Sequence, residues 1–382
     1  MKVRYKNGSD GVCAVARIYS KEEHGIDRSL IDRDSVAVVS RLVSSGFESY
    51  LVGGAVRDLL LGKTPKDFDV ATSASPRQVH RLFRNSRIIG RRFRIVHVAF
   101  GNKIIEVSTF RSIKDHEENR DNQFGTIEED ASRRDFSINS LYYDPAEETV
   151  IDFNNAMEDF RQKRITSLIP LHRTFNDDPV RMLRAIKYKV TTGFKFRFGI
   201  TSAIKTHAPL LQTVSTSRLT EELNKILASG YSAQIIRELK KYRLLVYILP
   251  CYSVHVAKPG VLESLEDLDR RIQEQKKNPS LPEISRSVQY LSLCEPLIAL
   301  HEEGLNSSEK MKDVLRQIKI LLIPNTPPNY ELDNSARLFL KNSGIRIPQA
   351  SKKTSRNKIP AAKQNRTVRR RRKVRPSAVS QD

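Results

Sequence analysis

Residues 51–72, LVGGAVRDLLLGKTPKDFDVAT, constrain the fold of this chain more than any other segment. A short apolar strand ends at Gly53-Gly54, a helical stretch follows as far as Gly62, and a second short strand carries Asp67 and Asp69. Glycine permits the backbone conformations that a tight strand-to-helix turn requires. A strand, a helix and a further strand in so short a segment indicate an α/β domain.

The tripeptide Asp67-Phe68-Asp69 predicts two carboxylates on one face of the second strand. Side chains two residues apart in a strand point the same way, so Phe68 faces the core and the two acids face outward. Carboxylates this close repel each other unless a cation neutralises them, and Mg²⁺ shared with substrate phosphates is the natural candidate. An isolated Asp-x-Asp is usually a solvated strand end. The preceding glycine turn, with Arg57 on its helix, favours a phosphate site instead, because exposed N–H groups at such turns bind phosphate.

The remaining patterns predict two structured regions. Short strands and amphipathic helices alternate irregularly through residues 34–160, which indicates an α/β head with a mixed sheet and flanking helices. Helical spacing then dominates residues 161–250, as a neck and body, and residues 251–345, as a C-terminal helical region. Residues 1–33 are weakly periodic and are predicted to be a loosely ordered arm. Residues 346–382 are predicted to be a disordered basic tail.

The charge of the chain predicts a polyanionic partner. The formal net charge is +22, and residues 351–382 hold twelve Lys or Arg residues against one acid. Such an excess favours nucleic acid or an anionic membrane surface as the partner. Three scattered cysteines are too few for a disulfide framework or a zinc site, which favours a reducing cytoplasm. The start of the sequence lacks a signal-peptide pattern, and no apolar run is long enough for a transmembrane helix.

Three motifs resemble the class II branch of the nucleotidyltransferase superfamily, which holds bacterial poly(A) polymerases and tRNA CCA-adding enzymes. They are VGGAVRDLLLGKTPKDFDV at 52–70, EEDASRRDFSINSLYYD at 128–144 and NDDPVRMLRAIKY at 176–188. The motifs occur in the order that the family has, and the resemblance covers residues 34–250. It implies a nucleotidyltransferase fold for the head and the transfer of nucleotides to an RNA 3′ end.

The resemblance also implies roles for individual residues. Asp67 and Asp69 would hold two Mg²⁺ ions, with Mn²⁺ as the alternative, that activate the RNA 3′-hydroxyl and stabilise charge on the α-phosphate and the departing pyrophosphate. Asp135 would be a further active-site carboxylate. Glu106 lies on a strand expected beside the Asp-x-Asp strand, as a third carboxylate near the metals or as a surface charge paired with a cation such as Arg111. The implied nucleotide-binding residues in these segments are Gly53, Gly54, Arg57, Arg111, Arg134 and Asn139.

The third motif carries a polar stripe of implied nucleotide contacts, with Asp178 and Arg181 followed at the same spacing by Arg184 and Lys187. By resemblance, Asp178 accepts a hydrogen bond from a base amine while Arg181 donates to a ring nitrogen. Adenine and cytosine share that edge, so the pair excludes guanine and uracil without choosing between the other two. The sequence departs from the family pattern twice. Asp177 replaces a glutamate, and Lys187 replaces an arginine and so loses a planar bidentate contact with phosphate.

Residues 88–98, IIGRRFRIVHV, bear on which family member the chain resembles. This segment is similar to the corresponding segment of bacterial poly(A) polymerases, whereas CCA-adding relatives usually have a less cationic one. We expect Arg91, Arg92 and Arg94 to bind RNA or triphosphate, with Phe93 packed in the core or stacked on a base. The tail would add nonspecific affinity for single-stranded RNA. Its predicted RNA-binding residues include Arg369, Arg370, Arg371 and Arg372.

The sequence therefore predicts a template-independent RNA 3′-adenylyltransferase, a poly(A) polymerase that uses ATP and Mg²⁺ on the 3′ ends of mRNA and other transcripts. CCA addition to tRNA is the alternative reaction for the same catalytic head. A catalytically idle descendant that acts as a basic RNA-binding protein is a second alternative, which the retained acids Asp67, Asp69 and Asp135 disfavour. DNA is not an expected substrate, and the oligomeric state stays open.

Overall fold

A computed structural model describes residues 2–8, 11–90, 94–112, 124–278, 280–300 and 306–345, with the backbone alone for residues 6–8 and 11–14. Within these ranges a nine-stranded mixed sheet with flanking helices is followed by a helical region, which confirms the predicted fold class. The strands of this sheet are β1 (Lys2–Gly8), β2 (Gly11–Tyr19), β3 (Ser49–Val52), β4 (Asp69–Thr72), β5 (Ser86–Ile89), β6 (Ile95–Phe100), β7 (Lys103–Thr109), β8 (Tyr142–Asp144) and β9 (Thr149–Asp152).

The order of strands in the sheet is β1-β2-β9-β8-β3-β4-β7-β6-β5. Strands β4 and β7 run parallel, whereas the other neighbouring pairs described are antiparallel. A parallel pair needs a long crossover connection, and the segment between β4 and β7 supplies it with a helix and the β5–β6 hairpin. The register of the parallel pair places Asp69 opposite Glu106 near the centre of the sheet.

Short helices connect and cover these strands. The longest of them, residues 33–44, has Asp32 as its N-cap, which accepts a hydrogen bond from the Ser35 amide at 2.9 Å. The helix at residues 76–82 has Ser75 as its N-cap and Pro76 in its first turn. The helices are α1 (Lys21–His24), α2 (Arg33–Ser44), α3 (Gly54–Leu60), α4 (Pro76–Leu82), α5 (Ile127–Ser132) and α6 (Ala156–Arg161).

Apolar residues of the central strands pack against α2. Leu51 of β3 and Val70 of β4 are fully buried in one cluster with Val38 and Leu42. Phe68, predicted to face the core, is 6% exposed and belongs to the same cluster. Truncation of a buried leucine or isoleucine to alanine typically costs about 2–5 kcal/mol, so this cluster holds the strands that carry the acids in place.

The N-terminal residues belong to the sheet, which corrects the prediction of a loosely ordered arm at residues 1–33. β2 pairs with β9, with Arg17 opposite Asp152, and β1 pairs with β2. Tyr19 is 1% exposed, and α1 and a 3₁₀ helix at Arg28–Leu30 connect β2 to α2. The weak local periodicity was misleading because the partner of β2 lies far away in the sequence. β5 was likewise not predicted from the sequence.

Helices dominate the chain after α6, apart from the small parallel pair β10 (Arg164–Ile165) and β11 (Lys195–Phe196). One apolar cluster runs through this region and includes Phe136 and Ile138 from the head, so the head and the helices share a core. The helices are α7 (Leu171–Asp177), α8 (Val180–Thr192), α9 (Ile200–His207), α10 (Thr216–Leu227), α11 (Ser232–Lys241), α12 (Leu245–Ile248), α13 (Pro250–His255), α14 (Val261–Lys277), α15 (Arg286–Cys294), α16 (Ser307–Leu322) and α17 (Asn329–Asn342).

Some sequence predictions concern residues that the structure does not describe. The predicted tail, residues 346–382, lies outside the described residues. Among the residues that are described, no helix is both long enough and apolar enough to cross a lipid bilayer. The predicted contacts that fall outside the described residues are Arg91, Arg92, Phe93, Arg369, Arg370, Arg371 and Arg372.

Candidate active site

The turn between β3 and α3 brings Gly53 close to two polar side chains. Gly53 has φ 71° and ψ −130°, a conformation that is strained for any residue with a side chain. A Cβ atom at Gly53 would lie 3.5 Å from Nη1 of Arg134 and 3.9 Å from Oδ2 of Asp69. A Cβ at Gly54 would lie 3.5 Å from Nη2 of Arg57. The turn thus lies against a carboxylate and two guanidinium groups, and the backbone conformation at Gly53 is what requires glycine there.

Asp69 is the first residue of β4 and has acidic neighbours. The strand register pairs it with Val52 of β3 and with Glu106 of β7. Burial is the largest cause that raises the pKa of Asp69 to about 6, and the charges of Glu106 and Asp67 act in the same direction against the opposing effect of Arg134. A partly buried acid among further acids is a position that a bound cation stabilises.

Asp67 precedes the strand β4, which begins at Asp69, whereas Glu106 lies on the neighbouring strand β7. β4 starts at Asp69, so the prediction that both acids of the Asp-x-Asp lie within one strand is wrong, and Asp67 is exposed in the loop before it. Glu106 does lie beside Asp69, and its Oε1 is also 3.4 Å from Nε2 of His97. His97 is thus one basic neighbour of Glu106, and the role of Glu106 as a third carboxylate near the metals stays a prediction.

The acids around Asp69 fit a magnesium ion better than a softer metal. Within the described ranges no group of three or more His, Cys, Asp or Glu side chains forms a ready-made metal site. Asp67, Asp69 and Glu106 offer carboxylate oxygens, the ligands that Mg²⁺ prefers, and Mg²⁺ usually completes its shell with water and substrate phosphates rather than with protein groups alone. The raised pKa of Asp69 is the observation that supports this assignment, because a divalent cation would offset the cost of ionising a buried carboxylate that has Glu106 and Asp67 as acidic neighbours.

Arg134 is held in place by a buried acid and a tyrosine. Its Nη2 donates to Oδ2 of Asp130 at 2.9 Å, and its Nε donates to the hydroxyl of Tyr142 at 3.3 Å. The Tyr142 hydroxyl in turn donates to Oδ2 of Asp130 at 2.7 Å. Burial lowers the pKa of Arg134, but Tyr142 and Asp130 outweigh burial and raise that pKa above its usual value. A fixed positive charge is thus directed at the turn that contains Gly53.

Asp135 connects two arginines through a buried network. Nη2 of Arg184 lies 2.8 Å from Oδ2 of Asp135, and Oδ1 of Asp135 accepts from Nδ2 of Asn139 at 3.2 Å. Oδ1 of Asn139 accepts from Nη1 of Arg57 at 2.9 Å. Burial alone would raise the pKa of Asp135, but Arg184 and Asn139 keep that pKa below its usual value. Asp135 is therefore ionised, and it contacts arginine and asparagine side chains.

The polar stripe of the third motif begins just before α8. Asp178 lies between α7 and α8, and Nη2 of Arg218 donates to both of its carboxylate oxygens at 3.0 Å. Arg181, in the first turn of α8, donates from Nη1 to the carbonyl oxygen of Thr174 at 3.3 Å. Arg218 comes from α10, and its contact fixes the orientation of the Asp178 carboxylate.

α10 supplies two more charged residues that the sequence did not single out. Lys187 of α8 donates to Oε2 of Glu222 at 3.1 Å, and Lys225 donates to Oε1 of the same residue at 3.1 Å. Burial raises the pKa of Glu222, but the two lysines outweigh burial and lower it. Helical spacing of charges, as in TSRLTEELNK, is typical of a solvated face, so the sequence carried no indication of these partners.

Tyr188 was also missed, although it lies within the third motif. Its side chain is 8% exposed, and three cations surround its ring. The guanidinium carbon of Arg57 is 4.9 Å from the ring centroid, that of Arg184 is 5.7 Å away, and Nζ of Lys187 is 5.5 Å away. These cation–π contacts help to position the three side chains, each of which is also paired with an acid: Arg57 with Asp58, Arg184 with Asp135 and Lys187 with Glu222.

These side chains line one cavity of about 540 Å³, within the usual size range of small-molecule sites. Asp67 does not line it, and Arg94 is exposed immediately before β6. Glu222, Lys225 and Tyr188 line it in addition to the predicted residues. The predicted residues that the fold brings together in this cavity are Gly53, Gly54, Arg57, Asp69, Glu106, Arg111, Arg134, Asp135, Asn139, Asp178, Arg181, Arg184 and Lys187.

Two family models match the chain in separate segments. The model described as the poly A polymerase head domain matches residues 49–166, and the model described as the probable RNA and SrmB-binding site of polymerase A matches residues 193–255. The first match contains the glycine turn and the acidic strands, and the second contains α10.

Curated relatives fall into two groups. Poly(A) polymerase I of Salmonella typhi is 40% identical over 305 residues, which cover 73% of this chain and 66% of that protein. The CCA-adding enzyme of Geobacillus kaustophilus is 35% identical over 218 residues, which cover 56% of this chain and 54% of that enzyme. The chain thus spans 66% or less of the length of these two relatives.

Solved structures with the same fold include CCA-adding enzymes. The Bacillus stearothermophilus CCA-adding enzyme in complex with CTP has a TM-score of 0.53 at 23% identity, over 81% of this chain and 82% of that chain. The Thermotoga maritima CCA-adding enzyme complexed with tRNA has a TM-score of 0.53 at 20% identity, over 85% of each chain. From its sequence motifs, its fold and these relatives, the chain belongs to the class II nucleotidyltransferase family of poly(A) polymerases and CCA-adding enzymes.

Proposed function

We propose that this protein is a template-independent RNA 3′-adenylyltransferase that transfers AMP from ATP to RNA 3′ ends and releases pyrophosphate. The observation that carries the proposal is that the acids Asp69 and Glu106, several arginines, and Asp178 with Arg181 line one cavity. Preorganised charges around a reacting phosphate are the main requirement of phosphoryl transfer, because the protein supplies positioning and electrostatics rather than covalent chemistry. The 40% identity to proteins named poly(A) polymerase I supports the choice of reaction.

The acids at β4 and β7 would hold the metal. Asp69 and Glu106 lie side by side across the strand pair, and Asp67 is close enough to act on the pKa of Asp69. Bound Mg²⁺ would supply charge neutralisation at the α-phosphate and at the attacking 3′-hydroxyl. Without the cation, part of Asp69 is protonated near neutral pH, so binding of the metal should favour its ionised form.

The fixed arginines would orient the triphosphate. Arg134 is directed at the Gly53 turn by Asp130 and Tyr142, and Arg57 is held by Asn139. Because these guanidinium groups already have their partners, they need little reorganisation when a phosphate arrives. Asp135 would keep Arg184 in position through their ion pair, and its Oδ2 has no hydrogen-bond partner among the described residues.

Asp178 and Arg181 would contact the base. Arg218 holds both oxygens of Asp178, so that carboxylate has one orientation toward an incoming amine. Adenine and cytosine place their amine at different distances from the ribose. A carboxylate held in one position therefore accepts a hydrogen bond from one of these amines better than from the other. This restraint favours the use of ATP alone over alternating use of CTP and ATP.

CCA addition to tRNA is the second candidate. It is supported by relatives named CCA-adding enzyme at 35% identity and by solved CCA-adding enzymes of the same fold. Polyadenylation remains the proposal because Arg218 restrains the base-contacting acid and because the 88–98 segment resembles that of poly(A) polymerases. A catalytically idle RNA-binding protein is disfavoured, since a costly cluster of acids at Asp69 serves no purpose in binding a polyanion.

The purified chain should be incubated with Mg²⁺ and either a generic RNA or a tRNA that lacks its terminal CCA, with ATP and CTP given separately and together. Extension of the generic RNA with ATP alone supports polyadenylation. Ordered addition of C, C and A to the tRNA, with no extension of generic RNA, would overturn it in favour of CCA addition. Asp69→Ala should abolish addition while RNA binding stays near that of the wild type. If RNA binding were lost as well, Asp69 would be structural.

A further inference from the structure

A second cavity, of about 440 Å³, lies between the start of α15 and one face of α17. Along α17 its lining residues include Tyr330, Asn334, Arg337 and Lys341, and α15 contributes Arg286. Residues three and four apart lie on one side of a helix, so an aromatic ring, an amide and two cations follow one another along that side. We call this surface the α15–α17 groove. It lies beyond both segments that the family models match.

A buried acid lies at the base of this groove. Glu331 is 5% exposed, and its Oε1 accepts a hydrogen bond from the Tyr330 hydroxyl at 2.9 Å. Nη1 of Arg286 is 3.9 Å from the same oxygen. Oε2 of Glu331 has no hydrogen-bond partner among the residues described. The groove therefore contains an enclosed acceptor that the described protein groups leave unsatisfied, which is costly unless a donor reaches it.

Tyr330 presents its ring to solvent in a defined orientation. The residue is 65% exposed, and its hydrogen bond to Glu331 raises the pKa of Tyr330, so the hydroxyl remains a donor at neutral pH. An exposed ring that is tethered at its hydroxyl loses little conformational freedom when a flat ligand stacks on it. Exposed aromatic rings next to cations are the usual means by which proteins bind single-stranded nucleic acid.

Three cations line the same groove as Tyr330. The side chain of Arg286 is 57% exposed, Lys341 is exposed, and Arg337 is 35% exposed beside Asp333. From Tyr330 to Lys341 the helix rises about 16 Å, which matches several stacked nucleotides at about 3.4 Å each. The exposed cations can therefore contact successive phosphates of one strand.

We propose that the α15–α17 groove binds single-stranded RNA upstream of the 3′ end, with one base stacked on Tyr330 and its phosphates against Arg286, Arg337 and Lys341. The inference rests on the proposed function in that the substrate is RNA. A purely anionic ligand would be repelled by Glu331, whereas a nucleotide brings phosphates for the cations and a base amine that can donate toward this acid. Adenine, cytosine and guanine carry such an amine and uracil does not. The groove should therefore prefer oligoadenylate to oligouridylate.

The test measures binding of fluorescent oligoadenylate and oligouridylate to the full chain by anisotropy across a range of salt concentrations. Tyr330→Ala should weaken oligoadenylate binding about fivefold or more, and Tyr330→Phe should retain most of it, because base stacking needs the ring. Arg337→Ala should lower the slope of log affinity against log salt by about 0.7. Arg316→Ala is the matched control, since Arg316 is an exposed arginine paired with an acid three residues away, and it lies outside the groove.

Measuring nucleotide addition by the same variants distinguishes a failure of this inference from a failure of the proposed function. The groove variants should raise the KM for RNA more than they lower kcat, because the groove contacts RNA away from the reacting atoms. Wild-type affinity and salt slope in Tyr330→Ala and Arg337→Ala, or equal losses in Arg316→Ala, would overturn the groove as an RNA site and point to a protein partner. A different result would contradict the proposed reaction: the wild-type chain adds no nucleotide, but its RNA binding still depends on the groove residues. The groove would then remain an RNA site.

Discussion

Replacement of Asp69 by asparagine should stabilise the ligand-free protein near neutral pH while it abolishes nucleotide addition. Asp69→Asn keeps the shape of the side chain and removes its charge. In the wild type, burial and the neighbouring charges of Glu106 and Asp67 disfavour the ionised form of Asp69. We therefore expect the ionised Asp69 carboxylate to destabilise the folded protein although nucleotide addition needs it. A carboxylate with a structural role would instead stabilise the folded protein.

The size of the effect comes from the pKa. Asp69 has a pKa of about 6 in the folded chain against an ordinary value of 3.8. Because the folded-state value is the higher one, the folded state binds the proton more tightly, and stability falls as the pH rises from about 4 to about 6. Above that range the ionised group costs at most about 3 kcal/mol, and at about pH 4.5 the cost is about 1 kcal/mol. Asp69→Asn should recover these amounts.

The assay is urea unfolding of both proteins in a chelator at about pH 7.5 and about pH 4.5, with the free energy of unfolding extrapolated to water. The control is Asp267→Asn, which removes an exposed acid of α14 paired with Arg270 and should change stability by less than about 1 kcal/mol. Added Mg²⁺ should stabilise the wild type and not Asp69→Asn. An equal effect of the substitution at both pH values, or equal stabilisation of both proteins by Mg²⁺, would refute the reasoning.

Two further substitutions test the base contact and the glycine turn. Arg218→Ala should release the Asp178 carboxylate and raise the incorporation of CTP relative to ATP about tenfold, as expected for loss of a charged hydrogen bond. Arg237→Ala, which breaks an exposed ion pair on α11, is its control, and an unchanged nucleotide ratio in Arg218→Ala would contradict the restraint. Gly53→Ala should cost about 1–3 kcal/mol of stability through backbone strain and should raise the KM for ATP. Wild-type stability in that variant, measured by urea unfolding, would show that the turn tolerates a side chain.

Local chemistry explains which parts of the site could be predicted. The turn at Gly53 depends on a backbone conformation that glycine alone adopts readily, and Phe68 is buried, as expected for an aromatic residue between two acids. The helix α8 could likewise be predicted from the helical spacing of its residues and from Pro179, which lies just before its first residue. Where the pattern was weak, as in β2, the prediction failed, because that strand is stabilised by a distant partner rather than by its own periodicity.

The sequence by itself determined the α/β class of the head, the helical character of the region after the head, and the types of charged residue available for catalysis. The sequence predicted that the strand of Glu106 neighbours the Asp-x-Asp segment, but only the tertiary structure decided the register that places Glu106 opposite Asp69. Only the tertiary structure also decided that Arg218 contacts Asp178 and that Lys187 has a buried partner in α10. These contacts depend on strand register and helix packing between segments that are far apart in the chain. Periodicity reports which face of an element is buried, and it carries no information about which distant element covers that face.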